Sequence, residues 1–306
     1  MIKPRPLKKG DCIGLVAPSS PTQVENVIRS KEVLEDLGFK VEVGESCYSR
    51  YGYLSGSDDL RAGDINSMFK EDSIHGIMCI RGGYGTPRIL DKIDYAAIGN
   101  NPKVFIGYSD ITALHIALNQ ICDLITYHGP MASTDMLKDF DIFTRESFIN
   151  SITSEEFIGL VKNPRNHEIK TLVAGNTQGV LIGGNLSLIA ATIGTPYEID
   201  TRGKILFIED IDEEPYSIDR MLTQLSLAGK LRDASGFILG DWNNCLAKPG
   251  EPSLTLIEVF RDLITPLNKP TIFNLRAGHC KPLITLPLGI KVSLNANKGE
   301  IRYYKE

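Results

Sequence analysis

Over residues 1–130 the chain alternates short β-branched runs with stretches of helical period, and this alternation confines it to a narrow set of folds. CIGLVAP (12–18), FKVEV (39–43), IHGIMCI (74–80), KVFIGY (103–108) and LITYHG (124–129) have the composition of buried strands. Between the first two, Val24, Val27, Ile28, Val33, Leu34 and Leu37 recur at helical spacing, and Gly38 stands where a C-cap glycine belongs. Residues 58–69, 86–93 and 110–121 have the pattern of further helices, the last with Ile111, Leu114, Leu118 and Ile121 on one side. Strands separated by helices imply right-handed crossovers and a parallel sheet, so the expected class is α/β.

Residues 131–170 break the rhythm. They are acidic, contain several phenylalanines and show little strand pattern, as expected of a connector carrying a helix or two. From Thr171 the alternation returns, with strands at 204–210, 236–242 and 291–294 and helices at 186–193, 215–229 and 253–263. At about 150 residues per domain, 306 residues suggest two. The expected division is an N-terminal domain over 1–135, a connector over 136–170 and a smaller mixed α/β domain over 171–306.

The charge balance is 33 Lys+Arg against 38 Asp+Glu, a net −5, which gives no support to a nucleic-acid partner, since binding one usually needs a basic face. The six cysteines are scattered without CxxC, which points to reduced thiols in a cytoplasmic protein and away from a disulfide framework or a zinc site. The basic start MIKPRPLKKG is followed only by a short apolar run, Ile13 to Ala17, too brief for a secretory core. The long uncharged stretch 171–197 contains Asn176, Gln178 and Asn185, so it fits a buried strand and helix and not a membrane span.

Four places could carry chemistry. Ser109, in IGYSDI (106–111), lies between a strand and a helix, where a tight turn holds a hydroxyl at the carboxyl edge of a sheet and backbone N–H groups face a developing oxyanion. Ile111 replaces the second glycine of G-x-S-x-G, and the same residues would also serve as a helix cap. RGGYG (81–85) has glycines that let backbone approach an anion, or that simply make a tight turn; it matches neither G-x-G-x-x-G nor a P-loop. The run Glu209, Asp210, Asp212, Glu213, Glu214 follows an apolar strand and fits a solvated face, a Mg²⁺ site, or one carboxylate orienting a histidine. Of five histidines, His279 lies in the loop AGHC (277–280), where a lone histidine is more often incidental than catalytic. Ser109, Glu209 and His279 occur in the order Ser…Glu…His known from other serine hydrolases.

At these residues the chain resembles the serine LD-carboxypeptidases, or muramoyl-tetrapeptide carboxypeptidases. The likeness runs through KKGDCIGLVAPSS, IRGGYGTPRILDKIDY, FIGYSDITALH, YHGPM, GGNLSLIAATIGTPYEIDTRGKILFIEDIDEEPYSIDRMLTQL and AGHCKPLITLPLGI, nearly the whole chain. It implies a flavodoxin- or amidotransferase-like N-terminal sheet and a smaller C-terminal domain, with the active site between them, and a homodimer. It implies Ser109 as nucleophile, Glu209 as triad acid and His279 as base, acting without metal or cofactor on a cytoplasmic murein tetrapeptide to release terminal D-Ala. Cys280 departs from the glycine common in relatives, which bears on the substrate pocket.

The mechanism expected from this likeness has the backbone N–H groups of Asp110 and of the Gly82–Gly83 turn meeting the oxyanion, with Arg81 either binding the free C-terminal carboxylate or making a structural ion pair. Three rivals stand beside it. Some relatives of the same fold cleave aminoacyl-nucleotide antibiotics and carry a base-stacking aromatic on an inserted loop; the single tryptophan here, Trp242, ends a strand-like run. The others are a metal-dependent hydrolase built on residues 209–214 and a non-catalytic binder using the glycine loop as an anion site.

Overall fold

The strand CIGLV, β1 (Cys12–Val16), is buried at four of its five positions, as a strand covered on both faces must be. It is flanked by β2 (Lys40–Val43) and β3 (Ile74–Cys79), followed outward by β4 (Val104–Gly107) and β5 (Thr126–His128), all parallel. The order β2-β1-β3-β4-β5 is the flavodoxin-like one. Helices Val24–Asp36, Asp58–Lys70, Tyr95–Asn100 and Thr112–Ile121 fill the crossovers. Their starts follow local chemistry: Ser57 accepts from the N–H of Leu60, and Asp94 from that of Ala97. Residues 86–92, expected as an ordinary helix, form a 3₁₀ helix instead, entered from Gly85 at φ 141° with Pro87 at its start.

The computed structural model describes residues 1–157 and 159–304. Ile158 of the expected connector and Lys305 and Glu306 lie outside the described residues. The chain divides into two compact units, Met1–Glu155 with Thr285–Gly289, and Glu156–Ile284 with Ile290–Glu306. The expected connector is thus shared. Its helix Ile142–Thr153 belongs to the first unit, where the Ile152 carbonyl accepts from Leu7 N–H at 2.8 Å and the Ser147 hydroxyl accepts from Thr285 N–H at 2.9 Å.

The second unit holds a mixed sheet. Its strands are β6 (Gly159–Val161), β7 (Lys170–Val173), β8 (Asn176–Asn185), β9 (Ile205–Ile211), β10 (Gly236–Asn243) and β11 (Thr271–Phe273). The chain then supplies β12 (Leu286–Leu288) to the first unit, antiparallel to β5, and returns as β13 (Lys291–Asn295) and β14 (Glu300–Tyr303). The order is β6-β14-β13-β8-β9-β10-β11-β7, parallel from β8 through β11 and antiparallel at both sides. Residues 171–197 form most of β7, all of β8 and the helix Leu186–Ala191, and among the described residues no helix is long and apolar enough to cross a membrane.

Candidate active site

Ser109 follows β4 at the carboxyl edge of the first sheet and adopts φ +64°, a left-handed conformation uncommon for a residue with a side chain. The turn is tight because Gly107 carries no Cβ; one added there would lie 2.9 Å from Ile111 Cγ1 and 3.2 Å from Cys79 Cβ. Ile111 therefore fills the space that Gly107 leaves, which accounts for an isoleucine where other serine elbows have a second glycine. His115, fully buried one turn later, lies with Nε2 2.8 Å from the Gly107 carbonyl, where the neutral ring donates. Burial pushes its imidazole down to about 4, so this histidine is an uncharged strut under the elbow.

The carboxylate of Asp110 does not cap the helix that follows. Its Oδ2 accepts from the Ser19 hydroxyl at 2.6 Å and from the Thr86 N–H at 2.9 Å, while the Thr86 hydroxyl donates to the Asp110 carbonyl. Burial raises the pKa of this carboxyl, opposed by those same donors. One side chain thus ties the loop after β1 and the glycine loop after β3 to the serine turn. As a result Gly82 lies against Ser109: a Cβ on Gly82 would sit 3.0 Å from Ser109 Cβ, 3.1 Å from its Oγ and 3.4 Å from the Asp110 nitrogen.

The glycine loop is fastened from behind by Arg61, buried in its helix. Its Nη1 donates to Gly85 at 2.9 Å and to the Pro18 carbonyl, and its Nη2 pairs with Asp58 at 2.5 Å. Gly83 has φ +118°, and a Cβ there would meet the Ser20 hydroxyl at 2.4 Å. Arg81 donates from Nε to the Gly82 carbonyl and from Nη1 to that of Pro21, both at 3.2 Å. Sequence reading missed Ser19, Arg61, Thr86 and the side-chain role of Asp110. The only local signal was an arginine three residues after Asp58 on one helix.

In the second unit Glu209, fully buried near the end of β9, meets His279. Its Oε2 lies 2.7 Å from His279 Nδ1 and accepts the His279 backbone N–H at 3.2 Å. A carboxylate only accepts, so Nδ1 carries the proton and the neutral ring keeps its lone pair on Nε2. This approach needs two glycines. A Cβ on Gly278, at φ +109°, would fall 2.5 Å from Glu209 Oε2, and one on Gly240 would fall 2.5 Å from the Ala277 carbonyl. Arg276 closes the loop, pairing with Asp241 at 2.6 Å and donating to the Lys281 carbonyl at 2.7 Å. Cys280 is buried in the turn just after the histidine, its N–H donating to Gly278 at 2.9 Å.

The acidic run separates by role. Glu209 orients the histidine. Asp210 accepts from Asn185 at 2.8 Å and from the N–H and hydroxyl of Ser187 at 2.9 and 2.8 Å, joining β9 to the helix Leu186–Ala191. Burial, and then the neighbouring Glu209 anion, raise its pKa. Asp212 accepts from Asn244 at 2.7 Å and Glu214 pairs with Lys248 at 2.9 Å. Among the described residues no group of three or more His, Cys, Asp or Glu is arranged to hold a metal ion. Trp242 lies on β10 and packs against Phe260, ring centroids 5.0 Å apart.

Sequence profiles of the LD-carboxypeptidase N-terminal and C-terminal domains match residues 13–129 and 178–294. The chain belongs to the LD-carboxypeptidase family. It is 45% identical to a probable murein peptide carboxypeptidase of Bacillus subtilis over 96% of this chain and 91% of the relative. Among solved structures, the microcin C7 self-immunity protein MccF bound to glutamyl sulfamoyl guanosine superimposes with a TM-score of 0.91 at 27% identity, covering 99% and 98% of the two chains. Muramoyltetrapeptide carboxypeptidase from Oxalobacter formigenes superimposes with a TM-score of 0.84 at 29% identity, covering 95% and 97%. The two α/β halves of this chain agree with the class expected from its strand and helix rhythm.

Proposed function

We propose that this member of the LD-carboxypeptidase family is a serine enzyme that removes the terminal D-Ala from murein tetrapeptides at the L,D-peptide bond. The observation that carries the reading is the 2.7 Å pairing of Glu209 with His279, which fixes the tautomer a general base needs. Ser109 Oγ attacks the peptide carbonyl while His279 Nε2 takes its proton. Glu209 stabilises the imidazolium that forms. The oxyanion is met by the backbone N–H of Asp110 together with the Gly82–Gly83 turn, which the Asp110 carboxylate fastens. Each such donor is worth about 3–4 kcal/mol in the transition state. His279 then protonates the leaving D-Ala, and water cleaves the acyl-enzyme. Arg81 Nη2, beside two groups already spent on carbonyls, faces the carboxylate of the departing residue in this reading. No step calls for a metal or cofactor, and the same reading makes the enzyme cytoplasmic and dimeric.

The reaction requires the Ser109 hydroxyl and the His279 ring, carried by different units, to come within hydrogen-bond reach in the reacting complex. Mass spectrometry of a murein tetrapeptide incubated with the wild type and Ser109→Ala tests the proposal. The wild type should release D-Ala and the variant should not; near-normal turnover by Ser109→Ala would end the serine reading. A second reading, an amidase acting on aminoacyl nucleotides, draws on the TM-score of 0.91 to MccF. Parallel assays on a murein tetrapeptide and an aminoacyl sulfamoyl-adenosine decide between them.

A further inference from the structure

The first sheet reverses its winding between β1 and β3, and in open sheets of this kind ligands settle in the crevice outside the carboxyl ends of the strands at that point. The proposed nucleophile follows β4, one strand further along, and beyond Arg81, given above to the departing residue's carboxylate, the crevice has no assigned occupant. Two aromatic rings stand there. Tyr84 comes from the glycine loop after β3, and its backbone N–H donates to the Ser20 hydroxyl, after β1, at 3.2 Å. Tyr53 comes from the loop after β2 and packs edge-to-face on Tyr84, ring centroids 5.7 Å apart at 61°. Both are open to solvent, Tyr53 at 64% and Tyr84 at 48%.

Their exposure does not come with loose backbone. Tyr51 and Leu54 exchange backbone hydrogen bonds around Tyr53 at 2.8 and 3.0 Å, and Ser55 N–H donates to the Ser19 carbonyl at 3.0 Å. A pair of rings held this firmly in water forms a ready-made platform, because little freedom is lost when a ligand stacks on it. Arg88, beside the rings, is bound through two nitrogens to the Asp58 carboxylate at 3.0 and 2.8 Å. Such a platform suits a neutral, flat-faced ring more than an anion. With strands about 4.8 Å apart, the crevice lies about 7 Å from β4. A peptide bound with its last bond at Ser109 has three residues left, which span about 10 Å when extended.

We propose that Tyr53 and Tyr84 form a subsite for the pyranose ring of the muramoyl group at the far end of the substrate, stacking against its C–H face. This rests on the murein reading above and adds where the sugar is held. The binding test uses N-acetylmuramic acid alone with Ser109→Ala protein, read by saturation-transfer NMR, which needs no turnover. Signal is expected on the sugar, lost in Ser109→Ala/Tyr53→Ala and kept with Tyr53→Phe. The kinetic test compares muramoyl-tetrapeptide with the free tetrapeptide. The wild type should favour the sugar-bearing substrate by about tenfold in kcat/KM, the equivalent of about 1.4 kcal/mol. Tyr53→Ala and Tyr84→Ala should each bring that ratio toward one. A ratio unmoved by either variant, both substrates slowed equally, or saturation transfer that appears on adenosine and not on the sugar would overturn the proposal. Sugar binding that follows these variants in an enzyme with no tetrapeptide turnover would instead support the subsite and count against the serine carboxypeptidase reading.

Discussion

Asp110 and Glu209 are both buried carboxylates next to a proposed catalytic group, and they do different work. Asp110 collects donors from two loops, through Ser19 and Thr86, and so sets where backbone N–H groups lie around Ser109. Glu209 takes both N–H groups of a single residue, His279, and so sets the tautomer of a ring that must carry a positive charge. Positioning backbone needs an acceptor, which an amide oxygen also provides. Stabilising an imidazolium needs a negative charge, which an amide lacks. The lesson is that burial of an acid beside a nucleophile does not by itself make it a triad member.

The largest effect should come from the ring itself: His279→Ala should lower kcat by several orders of magnitude on a murein tetrapeptide, as loss of a triad base does elsewhere. Glu209→Gln should come next, with a loss of about 10³–10⁴-fold and little change in KM. Asp110→Ala should cost about 10²–10³-fold, the scale of a lost oxyanion donor, with Asp110→Asn recovering most of it. Steady-state kinetics of the amide pair sharpens the contrast. If Asp110→Asn is as damaging as Glu209→Gln, the distinction between the two acids is broken.

The smallest effect concerns His115, a buried neutral ring set against His279, which the mechanism requires to become charged. Its pKa falls to about 4 on folding, so between that value and about 6.5 the unfolded chain binds a proton that the folded chain excludes. The stability linked to this group is complete above the unfolded value and is lost as pH falls toward the folded one. Urea unfolding should show the wild type losing about 2 kcal/mol more than His115→Gln between pH 7 and pH 5. Equal losses in the two proteins would mean that the ring is not held neutral.

Much of the first unit could be read in advance because its signals are local. Central strands such as CIGLV are apolar throughout, and Gly38 does end the first helix, at φ +95°. The helix Tyr95–Asn100 was overlooked although its Asp94 cap was there to be seen. What escaped in principle is what depends on distant partners. β12 pairs with β5 across more than 150 residues of chain, and the first half of β8, which begins with the polar Asn176, Thr177 and Gln178, is exposed or half-buried and is made into a strand only by its neighbours. The site divides in the same way. Order and motif singled out Ser109, Glu209 and His279, but the contact between residues 209 and 279 rests on glycines at 240 and 278 whose role appears only when the two segments meet.

A double-mutant comparison measures most directly whether the serine of one unit and the imidazole of the other belong to a single catalytic apparatus. Ser109→Ala, His279→Ala and the combined variant, each shown to be folded, would be followed by long-incubation mass spectrometry of D-Ala release. If the two side chains act as a unit, the combined variant falls no further than either single one. Losses that multiply would mean that they work independently, and the account would fail.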